Sequence, residues 1–158
     1  MFDLYVCGYK GKGAGAGFIR WFTFGKFCHV SLVFDKGFAT PTEIESIQGT
    51  GVHQQDFNVS GSYELFKVHC TEEQARIAFA LARTKVGKKY DWFGIWSFVR
   101  RKSRQDPDKW FCSELVFWVL LKIGILLLRK KHWEVDPDML CSSTVITPQE
   151  GHPKHWRN

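Results

Sequence analysis

The chain has 158 residues, of which 44% are hydrophobic and 16% aromatic, with seven Trp and fourteen Phe. This is one domain's length, and so much apolar payload excludes disorder over most of it. A net charge of +6, from 22 Lys and Arg against 16 Asp and Glu, favours anionic surroundings such as cell-wall polymer, acidic lipid or nucleic acid without choosing among them.

In chain order, Leu4 to Tyr9 predicts a strand, followed by the glycine-rich loop Gly11 to Gly17 and a short helix from Phe18 to Phe24 that Gly25 closes. Phe27 to Asp35 alternates as a strand. Val30, Leu32 and Phe34 share one face, and Phe27, His29, Ser31 and Val33 the other. A turn at Asp35-Lys36-Gly37 leads to a strand near Glu43 to Gln48, and Tyr63 to His69 reads as another. Thr71 to Val86 predicts a helix. Thr71 and Gln74 fit a capping box, Ala75, Ala78, Phe79, Ala82 and Val86 fall on one face, and Gly87 follows as the stop.

Asp91 predicts the cap of a further helix carrying Trp92, Ile95, Trp96 and Val99, and Ser103 to Asp108 a polar loop that would form one lip of a cleft. Phe111 to Leu128 approaches the length of a membrane span. Glu114, Lys122 and Gly124 interrupt it, so the expectation is a buried central helix ending at Gly124. The basic runs Arg100 to Arg104 and Arg129 to Lys131 each follow an apolar stretch, where cations suit a helix C-terminus. Strands followed by helices make an α+β layout. We expect one domain over residues 1–146 and a loosely held tail over 147–158.

Cys7, Cys28, Cys70, Cys112 and Cys141 are odd in number and lack a framework spacing, and no charged-then-apolar signal precedes them. Free thiols in a reducing, cytoplasmic compartment are expected, and a protein released by lysis or carried on a virion would look alike.

One constellation carries chemistry. Cys112 sits at the start of the apolar helix, where unpaired N–H groups and the helix dipole favour a thiolate and supply part of an oxyanion hole. His29 is presented from a rigid strand as a candidate base. Such a base needs a third group to fix its tautomer, and Glu43 and Glu45 both project from one face of the next strand.

The segments FIRWFTFGKFCHVSLVF, IESIQGTGV, GKKYDWFGIW and KWFCSELV, spanning Gly17 to about Leu121, together resemble the circularly permuted NlpC-type papain-fold hydrolases, related to lecithin retinol acyltransferases. The resemblance implies a papain-like α+β fold with a small antiparallel sheet packed against helices. It implies Cys112 as nucleophile, His29 as base and Glu45, rather than Glu43, as the orienting acid, with Tyr90, Asp91 and Trp110 on the cleft wall. It further implies hydrolysis of an amide or acyl bond through a thioester, without metal or organic cofactor. Substrates would be cell-wall peptides or acylated, lipid-like amides in a bacterial or phage setting. Acyl transfer and non-catalytic peptide or lipid binding on the same fold stand as alternatives.

Other readings compete from different features. Gly11, Gly13 and Ala16 between two strands, with Asp35 beyond, mimic a dinucleotide fingerprint but lack continued strand–helix alternation. Positive charge and aromatics suit a nucleic-acid module, yet Phe79, Trp92, Trp96, Phe117 and Trp118 take core spacings, so no specific nucleic acid is expected. His69-Cys70 and His152/His155 lack partners at metal-ligand spacing, and His53 and His132 read as surface residues.

Overall fold

The computed structural model describes residues 2–10, 25–37, 40–58, 61–91, 106–131, 134–153 and 155–156. The expected glycine-rich loop and helix over 11–24, the helix face of Trp92, Ile95, Trp96 and Val99, the Arg100 to Arg104 cluster, the first half of the Ser103 to Asp108 loop and His132 lie outside these residues.

Apolar residues at two-residue steps build the sheet. Strands β1 (Asp3–Tyr9), β2 (His29–Asp35), β3 (Thr42–Ile47), β4 (Gly51–Asp56), β5 (Tyr63–Val68) and β8 (Ile146–Gln149) form six strands in the order β4-β3-β2-β1-β5-β8. Every neighbouring pair is antiparallel. Because β1 runs against β2, the strand pair beside the glycine run is not the parallel unit that a dinucleotide fold requires.

Alternation gives the sheet two apolar faces. Leu4, Val6, Val30, Leu32, Phe34 and Ile44 pack with helix residues in the main core. On the opposite face, Tyr5, Cys7, Val33 and Leu65 form a smaller cluster with Phe57 and Trp156.

Helix α1 (Glu72–Arg83) starts as its sequence predicts, with Thr71 as N-cap and a complete Thr71–Gln74 capping box. It ends earlier than expected. Val86 lies beyond it and is 42% exposed, because the helix closes at Thr84 and a turn carries the chain to Gly87 at φ +90°. Its buried Ala75, Ala78 and Ala82 are small and leave room for α2 (Cys112–Lys122). That second helix is buried on nearly every side, which explains why its sequence is apolar without a stripe. It spans 11 residues, and Gly124 follows at φ +84°. Among the described residues no helix is long and apolar enough to cross a membrane. Arg129, Lys130 and Lys131 are exposed but lie well past the end of α2, so they do not cap it as the sequence suggested.

A parallel pair, β6 (Lys89–Tyr90) and β7 (Lys109–Trp110), leads into α2, and a one-turn helix α3 (Pro137–Cys141) is capped by Asp136 through the Met139 N–H at 2.8 Å. The architecture is α+β. The tail corrects our expectation of loose order: β8 joins the sheet edge, and Trp156 is 7% exposed, with its indole N–H donating to Asp35 Oδ2 at 2.7 Å. His155 Nε2 lies 2.5 Å from the same oxygen. A tail with few apolar residues holds because its one Trp fills the second face and satisfies the buried Asp35.

Candidate active site

Three elements bring the predicted chemistry together. His29 is the first residue of β2 and Cys112 the first of α2, so they meet where the end of the sheet reaches the helix N-terminus. Glu45 projects from β3. Val33 pairs with Glu43 across β2 and β3, so His29 and Glu45 are diagonal neighbours on one face. His29 Nε2 lies 2.5 Å from Glu45 Oε2. Cys112 is the other side chain that acts electrostatically on the imidazole.

The electrostatics follow from these contacts. Burial opposes charge on the imidazole. The interaction with Cys112, then that with Glu45, outweighs it and raises His29 from 6.5 to about 10. The two partners therefore bias the ring toward its protonated form. Cys112 itself is enclosed, at 1% exposure.

The start of α2 is fixed from two directions. The Phe111 N–H donates to Glu114 Oε2 at 3.3 Å, the backward half of a capping box, although Phe111 has no side-chain acceptor to complete it. The Trp110 carbonyl accepts from the Ser46 hydroxyl at 2.7 Å and from the Asp91 N–H at 3.3 Å. Ser46 follows Glu45 in β3, so one strand positions both Glu45 and the segment leading to Cys112.

Of the residues expected on a cleft wall, Tyr90 packs edge-on against Phe111, with centroids 5.8 Å apart. Burial, then the nearby charges of Cys112 and Asp91, push its phenol well above the ordinary range, so it stays protonated beside the thiol. Asp91 is buried and joined to Trp110 through its backbone. Trp110 serves the site through its carbonyl. Its indole packs edge-on against Trp118 at 5.2 Å, with the Lys85 ammonium 4.5 Å from each ring, and lines a cavity of about 400 Å³ on the α2 face of Glu114 and Trp118.

Several residues were missed from the sequence. His53, which read as a surface residue, is the direct cross-strand partner of Glu45, with Nε2 3.3 Å from Oε1. Gln55 Nε2 donates to Glu43 Oε2 and to Glu45 Oε1, both at 3.0 Å. Glu43 also accepts from the Tyr9 and Ser31 hydroxyls, each at 2.6 Å. The signal was present. His53 and Gln55 alternate after the Gly49-Thr50-Gly51 turn and face Glu45 and Glu43 once β3 and β4 are paired as a hairpin.

No protein-family profile matches the chain, and no curated protein matches it. Among solved structures it is similar to the metalloprotein yiiX from Escherichia coli O157:H7, described as DUF1105, with a TM-score of 0.70 and 15% identity over 98% of each chain. At that identity the likeness is one of fold. That protein is described as a metalloprotein; among the described residues here, no group of three or more His, Cys, Asp or Glu is arranged to hold a metal ion.

Proposed function

We propose that the chain is a cysteine hydrolase of the circularly permuted papain-like kind, cleaving an amide or acyl bond with Cys112 as nucleophile, His29 as acid and base, and Glu45 as the orienting group. The observation that carries this reading is the imidazole of His29, 2.5 Å from Glu45 and with Cys112 as its other electrostatic partner. Nucleophile, base and orienting acid in series is the arrangement that activates a thiol.

In this reading Cys112 reacts as the thiolate, with its proton held by His29. The thiolate attacks the acyl carbonyl carbon and the carbonyl electrons move to oxygen, where N–H groups of the first turn of α2 stabilise the oxyanion. Collapse re-forms the carbonyl and breaks the bond to the leaving group, which takes its proton from His29. The neutral imidazole then takes a proton from water as that water attacks the thioester, and departure of Cys112 as thiolate restores the starting pair. An amine or alcohol in place of water gives acyl transfer by the same steps. The net charge of +6 suits an anionic substrate or surface, including cell-wall peptide or acylated lipid.

The enclosure of Cys112, 1% exposed, favours a second reading in which the thiol is an inert core residue and the fold a binding module. An activated ester such as p-nitrophenyl acetate, followed by intact-protein and peptide mass spectrometry, separates the two. The hydrolase reading expects a transient acyl adduct on Cys112 that His29→Ala suppresses. Acetylation spread over surface lysines, with none on Cys112, would sink it.

A further inference from the structure

Behind the His29–Glu45 contact lies a second layer of polar residues on the same sheet face. Glu43 is 1% exposed and accepts from three donors, the hydroxyls of Tyr9 and Ser31 on Oε1 and the Gln55 amide on Oε2. A carboxylate satisfied from β1, β2 and β4 at once is a fixed point of the sheet. The second N–H of the same amide reaches Glu45 Oε1, leaving Oε2 for His29. His53 adds a contact to Oε1, at 3.3 Å.

Gln55 thereby spends both amide hydrogens on two buried carboxylates. It lies on the edge strand β4, and it is itself exposed, so its conformation is held by these two bonds rather than by packing. An amide is the side chain suited to this place. It donates twice without adding charge, where a Lys would draw Glu45 off the imidazole by pairing with it, and a Glu would add a third negative group.

We infer that Gln55 is a positioning residue: it hangs Glu45 from the fixed Glu43 and so sets the carboxylate against His29. This inference rests on the hydrolase reading of Cys112 and His29. It also separates the roles of the two glutamates, Glu43 as anchor and Glu45 as the group that orients the base.

The test is iodoacetamide labelling of Cys112 in the full chain across pH 5–9, followed by peptide mass spectrometry, in wild type, Gln55→Ala, Gln54→Ala and His29→Ala. Gln54 is the exposed neighbour whose side chain leaves the other face of β4. Loss of the Gln55 bond to Glu45 should slow labelling at mildly acidic pH by about two- to tenfold, the effect of one ordinary hydrogen bond. The midpoint should move to higher pH, the alkaline plateau should stand, and Gln54→Ala should match wild type. A Gln55→Ala profile that coincides with wild type overturns the inference. So does a slowing equal at every pH or shared by Gln54→Ala, since either marks a general loosening of β4. If wild-type Cys112 labels slowly and ignores His29→Ala, the hydrolase reading fails first, and the role of Gln55 falls with it.

Discussion

His29 and Glu45 meet diagonally across two antiparallel strands, with Nε2 of one 2.5 Å from Oε2 of the other. The pairing decides between two glutamates that the sequence left equivalent until the family resemblance favoured the second. Glu43 lies on the same face yet spends its oxygens on Tyr9, Ser31 and Gln55. Glu45→Gln should therefore lower the rate of acyl-enzyme formation by about 10- to 100-fold, the worth of one charge-assisted hydrogen bond, with little change in KM. Glu43→Gln should chiefly lower the urea midpoint, because Tyr9, Ser31 and Gln55 lose a charged acceptor. Equal kinetic losses in the two variants would refute this division.

The raised His29 gives stability a pH dependence of definite sign. Its folded value, about 10, exceeds the unfolded 6.5, so its contribution is fully present below pH 6.5 and is lost as pH rises through 10. The Tm advantage of wild type over His29→Gln should be largest near pH 6 and shrink steadily toward pH 10. An advantage that grows over this window would mean that the folded imidazole is neutral.

The tail is a structural part of the domain. Trp156 packs edge-on against Tyr5 at 5.4 Å and Phe57 at 5.5 Å and donates to the buried Asp35. Trp156→Ala should cost about 3–5 kcal/mol in urea unfolding, as for other buried Trp truncations. Trp156→Phe, which keeps the ring but not the N–H, should cost about 1–3 kcal/mol by leaving Asp35 one donor short. A Trp156→Ala variant as stable as wild type would return the tail to a loose appendage.

The β3–β4 hairpin that faces Gln55 and His53 toward the glutamates turns on Gly51. Its φ is +81°, and a Cβ there would lie 2.2 Å from the Lys88 carbonyl oxygen, the acceptor of the Val52 N–H. Gly49, at φ +88°, has nothing within 4 Å. Gly49→Ala should cost about 1–2 kcal/mol, the left-handed penalty alone. Gly51→Ala should cost more by the displacement of the backbone at Lys88, and it should also slow labelling of Cys112. Equal costs in denaturant titrations would show that the contact gives way freely.

The sequence was most legible where one local rule sufficed. The alternation at Val30, Leu32 and Phe34 and the Thr71–Gln74 box both appear as predicted, since each depends on neighbours within a few residues. It was least legible where partners come from distant segments. Strand β8 reads as a polar, proline-containing tail and becomes a strand only because β5 offers an open edge. His53 and Gln55 look like solvated residues until β4 is paired, when the register turns them onto Glu45 and Glu43. Cys112, His29 and Glu45 were picked as candidates from residue chemistry and motif likeness. Their meeting depends on a sheet order that places β2 between β1 and β3, which no single stretch of sequence specifies.

The most direct measurement is the rate at which each of the five thiols takes iodoacetamide at pH 6, in wild type and in His29→Ala. Burial holds Cys7 and Cys141 well above the ordinary thiol range, and Cys70 above it to a lesser degree, so all three should label slowly. The account predicts that Cys112, despite its enclosure, labels fastest and that His29→Ala removes most of that rate. Labelling of Cys112 no faster than Cys7, and indifferent to His29, would contradict it and leave a binding fold with a buried thiol.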